Sequence, residues 1–145
     1  MERITLIIGD ADSGKTMKAK EIASSYKEED VIWIDGRQYN RHNDRHDVRF
    51  LYSRCKLNTE LLIIDDLNDV SHIGWIYSHL YEGVRVEKIF KEPFYIHPKI
   101  IIGCSSEVSI DDLPTESNAF KRRFSIINCN DGAKRLSDED SQPSG

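Results

Sequence analysis

The chain has 145 residues, 39% hydrophobic and 31% charged, and its 25 acidic against 20 basic side chains leave a net charge of −5. That length suits one domain with a buried core, and the charge argues against a protein basic over its whole surface, while leaving room for a local basic patch. With no apolar run near the roughly 20 residues of a membrane span, no secretory pattern at the N-terminus and three widely spaced cysteines (Cys55, Cys104, Cys129) that imply neither a disulfide framework nor a zinc site, the expectation is an intracellular protein without membrane association.

In chain order, Ile4 to Ile8 is a short apolar run that suits a buried parallel strand. Lys15 to Tyr26 carries Met17, Ala19, Ile22, Ala23 and Tyr26 at helical spacing. Val31 to Ile34 reads as a second strand and Leu61 to Ile64 as a third, and Asp65-Asp66 follows at once. Ile73 to Leu80 reads as a helix. The alternating segment "VRVEKIFKEPFYIH", Val84 to His97, predicts a β-hairpin turning near Lys88 to Pro93. Ile100 to Ile102 is a fourth core strand, Ser117 to Arg122 a short helix and Phe124 to Ile127 a fifth strand. Strands alternating with helices predict an α/β fold around a mostly parallel five-stranded sheet, with the hairpin as an insertion. A single domain over 1–129 is expected, followed by a tail over 130–145 that has too little apolar surface to fold.

The segment "ITLIIGDADSGKTMKAK" holds the strongest motif. Gly9, Asp10, Ala11, Asp12, Ser13, Gly14, Lys15 and Thr16 match G-x-x-x-x-G-K-[ST] between a strand and a helix. The glycines let backbone N–H groups turn inward around phosphate oxygens, and the helix start aims its positive end at them. Lys15 adds charge for the β- and γ-phosphates, and the Thr16 hydroxyl can ligate Mg²⁺. This predicts a nucleotide site.

In "LLIIDD", Asp65 ends a hydrophobic strand where a carboxylate can hold Mg²⁺, and Asp66 stands where a general base would orient the attacking water. An exposed acidic turn is the alternative. In "KIIIGCSS", Ser105 or Ser106 can sense the γ-phosphate or cap the following turn. In "AFKRRF", Arg122 and Arg123 are either intramolecular salt-bridge donors or a finger presented to a neighbour's nucleotide.

The order of phosphate loop, "LLIIDD", "EGVRVEKIFKEPFYIHPKIIIGCSSE" and "ESNAFKRRFSII" resembles the ATPase core of superfamily 3 helicases, AAA+-related motors of viral, phage and plasmid replication. The likeness covers roughly 3–129. It implies the three-layer sandwich of a P-loop NTPase, ATP and Mg²⁺ as cofactors, hydrolysis at Lys15, Asp65 and Asp66, and Arg122 or Arg123 as a finger across a subunit interface. It also implies Lys88 and Lys91 in the hairpin as contacts to single-stranded DNA, self-association into a ring, and a location in the cytoplasm or a host nucleus. Two positions depart from the family pattern. Ser105 or Ser106 stands where Asn is usual, and Asp66 where Glu is usual. Family members carry a helical oligomerisation segment before the first strand, so the expectation is either an excised motor core or a stand-alone relative, with unwinding by this chain alone left open.

Weaker signals remain open. Arg37, Arg41, Arg45 and Arg49 recur at every fourth position, as a solvated loop or a contact surface. His42 and His46 lack the Glu and the third ligand of a zinc site. Trp33 and Trp75 read as core or interface residues. Two other functions compete: a small-molecule nucleotide kinase using "GRQYNRHNDRHDVR" as a lid, and a nucleotide-dependent assembly or regulatory module with little turnover.

Overall fold

A computed structural model of the chain describes residues 4–40, 51–68, 70, 73–114 and 116–130. Arg41, Arg45, Arg49, His42, His46, the Trp75 side chain and the tail from residue 131 lie outside the described residues.

Five runs of Ile, Leu and Val make the sheet. They are β1 (Ile4–Ile8), β2 (Val31–Asp35), β3 (Leu61–Leu67), β6 (Lys99–Cys104) and β7 (Ser125–Asn128). The sheet order is β2-β3-β6-β1-β7, and every neighbouring pair is parallel. Near-continuous apolar runs are what a parallel sheet covered on both faces requires. A separate antiparallel pair, β4 (Val84–Val86) and β5 (Phe94–Ile96), forms the expected hairpin.

Alternation along the strands divides the core into two layers. Ile4, Leu6, Leu62, Ile64, Ile100 and Ile102 point to the face covered by α2 (Ile73–Tyr81), the hairpin and α3 (Asn118–Arg123). Ile7, Leu61, Ile63 and Ile101 face α1 (Lys15–Ala23), where Ala19 and Ile22 pack on them together with Trp33. The result is the three-layer α/β/α sandwich of a P-loop NTPase.

Several boundaries differ from the sequence expectation, each for a local reason. α1 stops at Ala23 rather than Tyr26 because the Ser24 and Ser25 hydroxyls donate to the carbonyls of Glu21 (2.6 Å) and Ile22 (3.0 Å), competing with the helix ladder. β3 runs on to Leu67 instead of ending at Ile64. Its pairing jumps from Ile64 opposite Ile102 to Leu67 opposite Cys104, so Asp65 and Asp66 together oppose Gly103 in a bulge, with Asp66 at φ 67°. β7 begins one residue late because Phe124 closes α3, its N–H donating to Phe120 O at 3.2 Å. The Phe124 ring is buried against Phe120 and Tyr77. Among the described residues, no helix is long and apolar enough to cross a membrane.

Candidate nucleotide site

Parallel strands deliver their carboxyl ends to one edge of the sheet, and ligands of open α/β sheets bind in the crevice there. Because β6 lies between β1 and β3, that edge carries the phosphate loop, the Ser105 turn and the acidic bulge side by side.

The loop leaves β1 at Gly9 and turns with Ser13 N–H donating to Asp10 O at 3.1 Å. Asp12 (φ 63°) and Gly14 (φ 93°) both adopt left-handed backbone, and Gly14 is the N-cap of α1. The helix ladder starts directly, with Lys18 N–H bonded to Gly14 O at 2.8 Å. Left-handed residues next to right-handed ones turn successive N–H groups into a concave anion-binding nest. No side chain caps the start of α1, which leaves its first amides to a ligand. The Lys15 ammonium donates to the carbonyls of Gly9 (2.6 Å) and Asp10 (2.8 Å), so it is held over the mouth of the loop. Thr16 is exposed on the first turn of α1, and Ser13 Oγ is buried without a hydrogen-bond partner.

Asp65 reaches toward this loop across β6. A methyl group at Gly103 would come within 2.9 Å of Asp65 Oδ1, so the carboxylate lies over a position where only glycine leaves it room. Gly103 is level with Ile7 on β1, two residues before the loop. Burial pushes the Asp65 carboxyl up from its ordinary pKa, the charges of Asp66 and Asp35 add to this, and the Asp66 backbone N–H and the Lys15 ammonium oppose it. Asp65 is thus a half-buried carboxylate within electrostatic reach of Lys15.

Asp66 points elsewhere. Its Oδ2 is 3.6 Å from Arg37 Nε, and the same guanidinium bonds both oxygens of Asp35 at 2.9 to 3.2 Å. Hydrogen bonding to Asp35 and the charges of Asp35 and Asp66 hold Arg37 above its usual pKa. Among the described residues, no group of His, Cys, Asp and Glu forms a metal site by itself. The Thr16 hydroxyl and the Asp65 carboxylate fit a Mg²⁺ that keeps waters and phosphate oxygens as its other ligands.

Of the two serines, Ser105 is buried and its Oγ accepts Glu107 N–H at 3.2 Å, which is the turn-capping arrangement. Ser106 instead lines a cleft of about 110 Å³ together with Gly9, Asp10, Asn128 and Asn130. Sequence reasoning missed Asn128 and Asn130, whose role depends on contacts 120 residues away in the chain.

The structure does not bring the arginines to this loop. α3 ends at the amino end of β7, one strand length from the nucleotide edge, roughly 13 Å for four residues at 3.3 Å each. Arg123 stacks over the Tyr77 ring, 5.1 Å from its centroid, while Arg122 is exposed. In the hairpin, Lys88 turns inward and its ammonium donates to Ser53 O at 2.5 Å. The tip beyond it is exposed, with Ile89, Lys91 and a Phe90 whose relative exposure is 101%.

No family model matches the chain, and no curated protein matches it in sequence. Among solved structures the fold is similar to that of the JCV helicase, with a TM-score of 0.57 at 15% identity over 88% of this chain and 35% of that one. It is also similar to the C-terminal region of NrS-1, with a TM-score of 0.53 at 12% identity over 88% of this chain and 29% of that one. The chain therefore spans about a third of the length of the structures it resembles. The likeness establishes the fold, that of a P-loop NTPase.

Proposed function

We propose that this chain is an ATP-binding, Mg²⁺-dependent motor core of the kind found in superfamily 3 helicases, working on single-stranded DNA as part of an oligomer. The observation that carries the reading is the convergence of a complete phosphate loop and the Asp65 carboxylate on one edge of the sheet, with Gly103 clearing the space between them. Lys15 and the loop amides bind the triphosphate. Thr16 and Asp65 hold the metal, which would neutralise phosphate charge.

Arg122 is the finger in this reading, since Arg123 is committed to Tyr77 and both stand far from their own loop. A neighbouring copy must then complete the site, and hydrolysis depends on assembly. The hairpin tip supplies the nucleic-acid contact through Lys91 and the exposed ring of Phe90, which offers a base a stacking platform.

The test is phosphate release from ATP and Mg²⁺ across a protein concentration series, with and without single-stranded DNA, using Lys15→Ala as the blank. Turnover rising with both concentration and DNA supports the motor. A second reading, a nucleotide-dependent assembly module with little turnover, draws on the ion pair that turns Asp66 toward Arg37. ATP binding without release under any of these conditions selects it.

A further inference from the structure

The last described residues are built against the phosphate loop. β7 runs beside β1 with Asn128 level with Ile8. Cys129 then packs under Gly9, where a methyl group would come within 3.1 Å of the Cys129 Cβ. Asn130 follows, and its Oδ1 accepts the Asp10 backbone N–H at 2.7 Å. Its own N–H donates to Asn128 Oδ1 at 3.0 Å, which fixes the turn that aims the side chain. Three consecutive residues of one segment thus meet three consecutive residues of the other, in the same order.

The peptide group between Gly9 and Asp10 is the point of leverage. Its N–H is the one taken by Asn130, and its carbonyl, that of Gly9, is the one that receives the Lys15 ammonium at 2.6 Å. A trans peptide is rigid and planar, so its N–H and C=O turn together. Holding the N–H toward Asn130 holds the carbonyl toward Lys15, and a bond at one end polarises the bond at the other. If this peptide rotated, Lys15 would lose the shorter of its two bonds, keeping only the one to the Asp10 carbonyl at 2.8 Å.

We infer that Asn130 is a positioning residue of the nucleotide site, setting the Gly9–Asp10 peptide and through it the place of Lys15. The inference rests on the phosphate-loop reading above. It does not require Asn130 to touch nucleotide. It assigns a role to an asparagine in a segment that composition reads as a solvated tail.

The experiment compares the full chain with Asn130→Ala and Asn130→Asp, measuring ATP and ADP affinity by calorimetry and hydrogen exchange at the Asp10 amide. Loss of one hydrogen bond that anchors a backbone group corresponds to about a fivefold to tenfold weakening. That loss is expected for Asn130→Ala, with faster Asp10 exchange and unchanged exchange in β3 and β6. Asn130→Asp keeps an acceptor of the same shape, so it restores slow Asp10 exchange. Full affinity in Asn130→Ala overturns the inference, as does an Asp10 amide that exchanges equally in all three proteins. Faster exchange across β3 and β6 in both variants makes Asn130 a general structural residue and also overturns it. If the unaltered chain binds no nucleotide, the phosphate-site reading itself fails.

Discussion

The Asp65 carboxylate lies over Gly103 of the adjacent strand, so close that a methyl group there would stand 2.9 Å from Oδ1. The relationship explains a glycine near the carboxyl end of β6, directly after Ile100, Ile101 and Ile102. Glycine inside a strand is usually a cost of about 0.5–1 kcal/mol relative to alanine, and here it clears a path from the acidic bulge toward the phosphate loop. Gly103→Ala is expected to leave the fold intact, because the obstructing atom is the end of a movable side chain. It should displace the carboxylate and lower Mg²⁺-dependent ATP turnover at least about tenfold, the scale of one misplaced catalytic group. Turnover and thermal melting of the variant check this.

The two hairpin lysines should separate in experiment. Lys88 donates to the Ser53 carbonyl, so Lys88→Ala is expected to destabilise the fold by about 1 kcal/mol, the worth of a partly buried hydrogen bond. Lys91 is exposed, so Lys91→Ala should leave the melting temperature unchanged. It should reduce the salt dependence of single-stranded DNA binding by about one phosphate contact. Melting curves and a salt titration of DNA affinity distinguish them.

The paired arginines divide in the same way. Arg123→Ala removes a cation stacked on Tyr77 and should lower stability by about 0.5–1 kcal/mol. Arg122→Ala should melt like the unaltered chain and lose turnover only at concentrations where copies assemble. Turnover against concentration for both variants, beside their melting curves, checks the division.

The cysteines give a prediction in pH. Burial pushes the Cys55 thiol from 9.0 up to about 11 and the Cys104 thiol up to about 12. Both should resist thiol reagents at pH 8 in the folded protein and react on unfolding. The unfolded chain ionises these thiols first, near pH 9, so it binds fewer protons than the folded one above that pH. Their contribution to stability is therefore full below pH 9 and declines as pH rises toward 11 and 12. Denaturant melts from pH 7 to 10.5 should show the decline, and Cys55→Ser/Cys104→Ser should flatten it.

Much of this architecture was legible in the sequence, because runs such as Ile4 to Ile8 and Leu61 to Ile64 are too apolar to sit anywhere but a covered sheet. The loop from Gly9 to Thr16 stood out in the sequence because its glycines, lysine and threonine keep a fixed spacing between a strand and a helix. What periodicity could not supply was register. The bulge at Asp65-Asp66 exists only because β3 and β6 pair out of step there, and Gly103 matters only through that pairing. The inward turn of Lys88 needs Ser53, and the tether from Asn130 to Asp10 joins residues from opposite ends of the chain. Contacts of that kind leave no trace in composition or spacing.

The proposed motor depends above all on a nucleotide site formed by the loop from Gly9 to Thr16 and completed by Asp65. A calorimetric titration of the chain with ATP, in the presence and absence of Mg²⁺, beside Lys15→Ala and Asp65→Asn, tests it most directly. One ATP per chain is expected, with tighter binding in Mg²⁺, loss of binding in Lys15→Ala, and loss of the Mg²⁺ enhancement alone in Asp65→Asn. ATP that fails to bind, or that binds Lys15→Ala as well as the unaltered chain, would contradict it.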